Sequence, residues 1–229
     1  MTDAASGLIY YVVFLFSTTL HEAAHAWAAL LGGDPTAYHG GQVTLDPRPH
    51  IKREPFGMVL APLLFFSMGG MMIGWASTPI DPRWAYVHPK RAAVVSAAGP
   101  IANLLLVVLA AFGLRLGVAV GWFLPISLGP FALAVAPDGG LGESVILVLS
   151  WVFSLNLILF VFNLIPVPPL DGSTAIGLLV SEENARRLQE WMRQPLLAFG
   201  GLLLAWLLMR VIVGPVLALA VGVLFLGAA

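Results

Sequence analysis

Residues 8–31 read LIYYVVFLFSTTLHEAAHAWAALL. A helix that crosses the hydrocarbon core of a bilayer needs about 20 mainly apolar residues, and this stretch has the length. Its first nine residues are apolar all round. Its second half carries Ser17, Thr18, Thr19, His21, Glu22 and His25. Ionisable groups inside a span cost several kcal/mol without a partner or ion, and as a rule they mark function. The stretch sets two expectations at once: a membrane-embedded chain, and a polar site built into its first crossing.

The composition agrees with the first expectation. The 229 residues are 59% hydrophobic and only 10% charged, and mean hydropathy is +0.91. Soluble domains carry about 25% charged residues, so an ordinary soluble protein and a disordered one are both excluded. Lys and Arg total 11 against 12 Asp and Glu, which leaves no basic surplus for a nucleic-acid backbone. There is no cysteine, so disulfides, thiolate metal sites and a cysteine nucleophile are excluded too.

Working outward, Ala92–Leu114, Ser144–Ile165 and Leu196–Val213 are further candidate spans. The first holds Gly99-Pro100, expected to break or kink it, and the last ends near Arg210. Two apolar stretches are poorer helices. Residues 57–76 hold Pro62, Gly69-Gly70 and Gly74, and residues 117–136 hold Pro125 and Pro130. The tail 215–229 is apolar but short for a crossing. The expected fold is an all-α polytopic membrane protein with about four to six transmembrane helices and re-entrant or irregular segments. A single membrane-embedded domain is expected over 1–229, with its core at about 8–175 and an interfacial helix and span in 176–229. The N-terminus has no basic region and does not read as a cleavable signal peptide.

Positive charge orients the chain. Arg48, Lys52 and Arg53 follow the first span; Arg83, Lys90 and Arg91 precede the second; Arg186, Arg187 and Arg193 precede the last. The excess of Lys and Arg in cytoplasmic loops makes the first helix run from outside to cytoplasm. All three groups share that side only if 57–76 dips in and returns, or crosses an even number of times.

The string His21-Glu22-Ala-Ala-His25 carries chemistry. Helix positions four apart differ by one turn and about 40°, so both imidazoles face one way and can bind one metal ion. Glu22 can reach a water on that ion without being a ligand. This is the HExxH pattern of zinc hydrolases. A catalytic zinc site needs a third protein ligand and an open position. Asp171, in Asn163-Leu-Ile-Pro-Val-Pro-Pro-Leu-Asp171-Gly172, is the leading candidate. Prolines 166, 168 and 169 forbid a regular helix, and irregular backbone at membrane depth is tolerated where it lines a cavity. One crossing, by 92–114, lets the first and third spans run in parallel, so these groups share a depth toward the cytoplasmic half. Asn103 and Asn163 carry amides for a substrate backbone or an oxyanion, with plain interhelical hydrogen bonding as the alternative.

Three motifs in this order, HEAAH at 21–25, Gly-Pro-x-x-Asn at 99–103 and Asn-x-x-Pro-x-x-Pro-Leu-Asp-Gly at 163–172, resemble the site-2 protease family of intramembrane zinc metalloproteases, in a compact prokaryotic branch. The resemblance implies one Zn2+ per chain on His21, His25 and Asp171, Glu22 as general base, and Asn163 near the substrate. It implies a transmembrane protein substrate, and a site in the prokaryotic inner membrane toward the cytoplasm. Better-known members carry a PDZ insertion or a nucleotide-sensing domain, and neither is expected here. The strip 32–49 could offer an edge strand to an unwound substrate. Two other functions compete. A proteolytically inactive client-holding protein would be expected to lose Glu22. A divalent-metal transporter would need polar groups through both membrane halves, and LIYYVVFLF and LLLVVLAAF offer none. His39, His50 and His88 read as loop histidines. Residues 181–193 read as an interfacial helix capped by Ser181, ended by Arg193 and anchored by Trp191.

Overall fold

The computed structural model describes residues 4–69, 72–129, 131–137, 139–192 and 194–227; Gly70, Pro130 and Arg193 lie outside them. The chain opens with α1 (Ala4–Gly32), then α2 (Thr36–His39) and α3 (Pro47–Arg53). A π-helical turn, Phe56–Leu60, leads into α4 (Ala61–Gly69), followed by α5 (Pro82–Val87) and α6 (Pro89–Ala119). A hairpin of β1 (Leu124–Gly129) and β2 (Ala132–Val135) precedes α7 (Leu141–Asn163). The remainder is α8 (Asp171–Ala175), a 3-10 turn at Ile176–Leu179, α9 (Glu182–Met192) and α10 (Pro195–Leu224). Among the described residues α1, α6, α7 and α10 are long and apolar enough to cross a membrane.

Their directions follow from their contacts. His21 meets Asn103 and His25 meets Val95, so α1 and α6 are antiparallel. Asn103 meets Asn156 while Val107 and Phe153 share a cluster, so α6 and α7 are antiparallel. Ser17 meets Asn156 and Tyr10 meets Trp151, so α1 and α7 run in parallel. Leu217 and Leu224 of α10 close an apolar cluster with Val107, Ala110, Leu114, Phe153 and Leu157.

Helix α6 passes unbroken through Gly99-Pro100. A proline costs a helix one hydrogen bond, but packing holds the helix together, for Gly99 and Pro100 are both buried. Helix α10 likewise runs through Pro215 and absorbs most of the apolar tail. At 30 residues it is about 45 Å long, enough to span about 30 Å of hydrocarbon.

The described parts of 57–76 reverse direction. Helix α4 runs back along α1, with Phe66 edge-on to Tyr10 at 6.4 Å between ring centroids. The return segment brings Trp75 beside Gly57, and the Trp75 N–H donates to the Gly57 carbonyl at 3.1 Å. A Cβ on Gly57 would lie 2.2 Å from the Trp75 oxygen, so only glycine allows this crossing. Among the described residues, 117–136 form no helix long enough to cross a membrane. Part of the stretch is the β-hairpin, packed over the ends of α6 and α7 through Phe123, Ala134, Ala136 and Ile146. The strip 32–49 holds no strand. Asp46 accepts from the Arg48 N–H at 3.0 Å and Pro47 opens α3, a capped start that favours helix over an extended edge.

The basic groups gather at one end. Arg91 donates to the Gly32 carbonyl, Lys90 to the carbonyls of Gly177, Leu178 and Val180, and Arg186 to that of Tyr86. These bonds tie the second basic segment to the third and to the end of α1, and Arg53 of the first donates to Ser77 Oγ at 3.1 Å, five residues before the second begins in α5. Helix α9 is capped by Ser181, which accepts from the Asn184 N–H at 3.3 Å, and Trp191 is exposed.

The absence of native cysteine makes the arrangement testable. Single cysteines replacing Arg48, Arg83 and Arg187 should react with an impermeant maleimide from one face of the membrane. A cysteine at Gly121 should react from the other. Labelling of positions 48 and 83 from opposite faces would contradict the re-entrant hairpin.

Candidate metal centre

The HEAAH string lies in the later part of α1, and its neighbours determine which ring nitrogens carry hydrogen. His25 Nδ1 lies 2.7 Å from the Val95 carbonyl oxygen. A carbonyl only accepts, so Nδ1–H donates and Nε2 of the neutral ring is a bare lone pair. His21 Nδ1–H donates to Asn103 Oδ1 at 2.6 Å, which leaves its Nε2 bare as well. These two nitrogens face each other at 3.0 Å. Asp171 Oδ2 lies 3.1 Å from the first and 3.3 Å from the second. Three electron-rich atoms at this spacing repel unless a cation sits among them. Four ligands tetrahedral about zinc at about 2.0–2.1 Å stand about 3.3 Å apart, so the donor set and its spacing fit that ion. The three residues form the one group of this kind among the described residues. Both histidines are buried, and the Asp171 side chain is 20% exposed.

Backbone approach makes the triangle possible. A Cβ on Gly99 would lie 2.4 Å from His25 Nε2 and 2.5 Å from His21 Nε2. Glycine there lets α6 pass directly against the imidazoles. Asp171 arrives from the proline-rich loop after α7 and opens α8. Ile165 and Leu170 of that loop bury against Ala205 of α10. Ser96 Oγ donates to the Asp171 carbonyl at 2.8 Å.

Behind His21 runs a buried relay. Asn103 Nδ2 donates to Asn156 Oδ1 at 2.7 Å, and Asn156 Nδ2 donates to Ser17 Oγ at 2.9 Å and to the Val152 carbonyl at 2.8 Å. Ser17, Asn103 and Asn156 have no exposed surface. The Asn103 amide is thus committed at both ends inside the bundle. Asn163 lies half-buried at the end of α7, its amide donating back to the Leu159 carbonyl at 3.1 Å. Glu22 is 5% exposed and stands outside the triangle; its Oε2 accepts from Thr78 Oγ1 at 2.7 Å. His39 packs beside Tyr38, His88 beside Trp84, and His50 approaches the Thr44 carbonyl at 3.2 Å. All three are away from the triangle.

The sequence reading names Ser17 without a role and passes over Thr78, Ser96 and Asn156. For Ser17, Ser96 and Asn156 the signal was available: each is a polar residue inside an apolar run. Nothing local marks Thr78, which reaches the site only because the return segment passes α1.

The peptidase family M50 model matches residues 9–208. "Putative zinc metalloprotease YwhC" of Bacillus subtilis is 37% identical over 171 residues, 74% of this chain and 68% of that protein. "Putative zinc metalloprotease Rip2" of Mycobacterium tuberculosis is 32% identical over 187 residues, 81% of this chain and 63% of that protein. The chain thus spans about two thirds of the length of these curated relatives. No solved structure matches it. The matched region starts inside α1, ends inside α10 and contains all three motifs, so the chain is an integral membrane protein that belongs to peptidase family M50, the site-2 protease family its motifs resemble.

Proposed function

We propose that this chain is an intramembrane zinc metalloendopeptidase that hydrolyses peptide bonds in or near transmembrane segments of membrane proteins. The observation that carries the reading is the triangle of His21 Nε2, His25 Nε2 and Asp171 Oδ2 at 3.0–3.3 Å inside an apolar bundle. These three residues would hold one zinc per chain. A zinc ion bound there lowers the pKa of a coordinated water toward about 7 and polarises a carbonyl oxygen.

The rest of the chemistry belongs to the chain. Val95 and Asn103 orient the two rings by taking their Nδ1 hydrogens, as outer-shell partners of metal-bound histidines do. Glu22, next in sequence to His21 but not in the triangle, takes the proton of the attacking water and returns it to the leaving amine nitrogen. Its burial favours that exchange over loss of the proton to bulk water. Orienting His21 is the role this reading gives Asn103 in place of an oxyanion contact. Asn163, at the end of α7 next to the loop that delivers Asp171, would hold the substrate backbone by exchanging its bond to Leu159. A substrate helix hides its carbonyls in its own hydrogen bonds, so it unwinds locally before cleavage.

The basic end of the bundle is also the end of α1 nearest the triangle, and with the positive-inside bias this supports a site toward the cytoplasmic half. The two relatives named above are bacterial, and the cell membrane of a prokaryote is the proposed location. The whole of 1–229 would act as one membrane-embedded catalytic unit.

Three outcomes test the reading. Purified wild-type protein should carry one zinc per chain by mass spectrometry, and His21→Ala should lose most of it. Full zinc content in His21→Ala would refute the ligand set. Glu22→Gln should keep its zinc while cleavage of a transmembrane peptide falls about 10²–10⁴-fold, the usual span of general acid–base catalysis. Unimpaired cleavage by zinc-loaded Glu22→Gln would remove the proposed base. Gly99→Ala should displace the imidazoles and weaken zinc binding about 10–100-fold, as loss of outer-shell support does, while helix content by circular dichroism stays unchanged.

A further inference from the structure

We infer that Thr78 is a positioning residue for Glu22, held in place by the return segment of the re-entrant hairpin. The inference deepens the proposed function and rests on Glu22 being the base.

Residues 72–81 form no regular secondary structure, yet they follow α1 closely. A Cβ on Gly74 would lie 2.6 Å from the Phe14 ring, and Thr78 reaches Glu22. Four residues of the segment therefore keep pace with eight residues of helix. Eight helical residues rise about 12 Å, or about 3 Å for each residue of the segment, which is nearly full extension. An extended chain presents alternate side chains to opposite sides, and Thr78 is turned to α1.

Thr78 Oγ1 lies 2.7 Å from Glu22 Oε2 and 3.0 Å from the Glu22 carbonyl oxygen. The hydroxyl has one hydrogen. The shorter contact, to a carboxylate, is the stronger acceptor, so the hydrogen goes to Oε2. That bond fixes a side chain with three rotatable bonds and leaves Oε1 as the oxygen free to take a proton.

The position of Thr78 is itself set from both flanks. The Ser77 carbonyl accepts from Gln42 Nε2 at 3.1 Å, and Ser77 Oγ donates to Glu54 Oε1 at 2.5 Å. The Asp81 N–H donates to Asp34 Oδ2 at 2.8 Å. Asp34 is buried, and its other oxygen accepts from the N–H and hydroxyl of Thr36. Burial works against that carboxylate, but the bonds from Thr36 and Asp81 outweigh it and hold its pKa below the ordinary range. Bonds on either side of Thr78 thus fix the hydroxyl relative to α1.

Two substitutions separate positioning from packing. Thr78→Val keeps the shape and removes the hydroxyl; Thr78→Ser keeps the hydroxyl. Infrared difference spectra between zinc-loaded wild type and Glu22→Gln identify the Glu22 carboxylate bands. Those bands should shift in Thr78→Val and stay in place in Thr78→Ser. With a fluorogenic single-span peptide that the wild type cleaves, kcat of Thr78→Val should fall about 10–100-fold, the loss expected for one hydrogen bond to a charged group. KM, zinc content and melting temperature should stay at wild-type values, and Thr78→Ser should retain most of the wild-type kcat. Unshifted carboxylate bands in Thr78→Val overturn the inference, as does a parallel loss of zinc or melting temperature in both variants. Wild-type cleavage that survives Glu22→Gln overturns the underlying function instead, and the two failures are told apart by that control.

Discussion

Two bare imidazole nitrogens and a carboxylate oxygen, held within 3.3 Å of one another where water is scarce, are the constraint that the rest of this structure serves. Each group alone would be costly to bury in a bundle whose outer surface is hydrocarbon. Together they are stable when a divalent cation balances them. The protein therefore has to bring three elements to one point and keep every other polar atom near that point satisfied. Helix α1 supplies both rings, α6 supplies the acceptors that orient them, and the loop after α7 supplies the carboxylate.

That requirement explains features that are odd in a lipid-soluble helix. The glycine at position 99 is where α6 must touch the imidazoles, and the proline after it is carried inside the helix because surrounding packing replaces what it loses. Asn103, Asn156 and Ser17 form a closed relay with no exposed surface. Such a relay costs little when fully bonded and a great deal when broken, so it holds three helices in register. Its far end, Ser17, lies one turn of α1 before His21, so the relay backs the triangle from the side away from the basic end.

The hairpin of 57–76 solves a different problem. A base beside a metal has to stay in one orientation without becoming a ligand. On the reading proposed for Glu22, the restraint comes from a segment that turns back to the end of the hairpin where it started, Trp75 beside Gly57. Because the hairpin tucks against α1, its return segment can place a hydroxyl at Glu22 and still be tied to neighbouring loops through Ser77 and Asp81. The Glu22 contact and the loop network at the basic end are thereby joined through one segment.

The residue pattern by itself determined the membrane-embedded class and the candidate crossings, and it pointed to the shared face of the HEAAH histidines and to Asp171 as the leading candidate to join them. These are properties of local periodicity, composition and short motifs, and each is read within a window of a few turns. Tertiary structure alone decided what the long-range contacts decide. His21 meets Asn103 across 82 residues and Asp171 across 150, and only that meeting shows which ring nitrogens are bare. It gave Asn103 to His21 and not to the open side of the site. It let α6 and α10 run through their prolines, because packing outweighs one missing hydrogen bond. It turned 117–136 partly into a β-hairpin and put α2 and the capped start of α3 into the strip 32–49. Thr78 had no local signature at all: its part depends on where the chain returns, and the return is fixed by contacts that no short window contains.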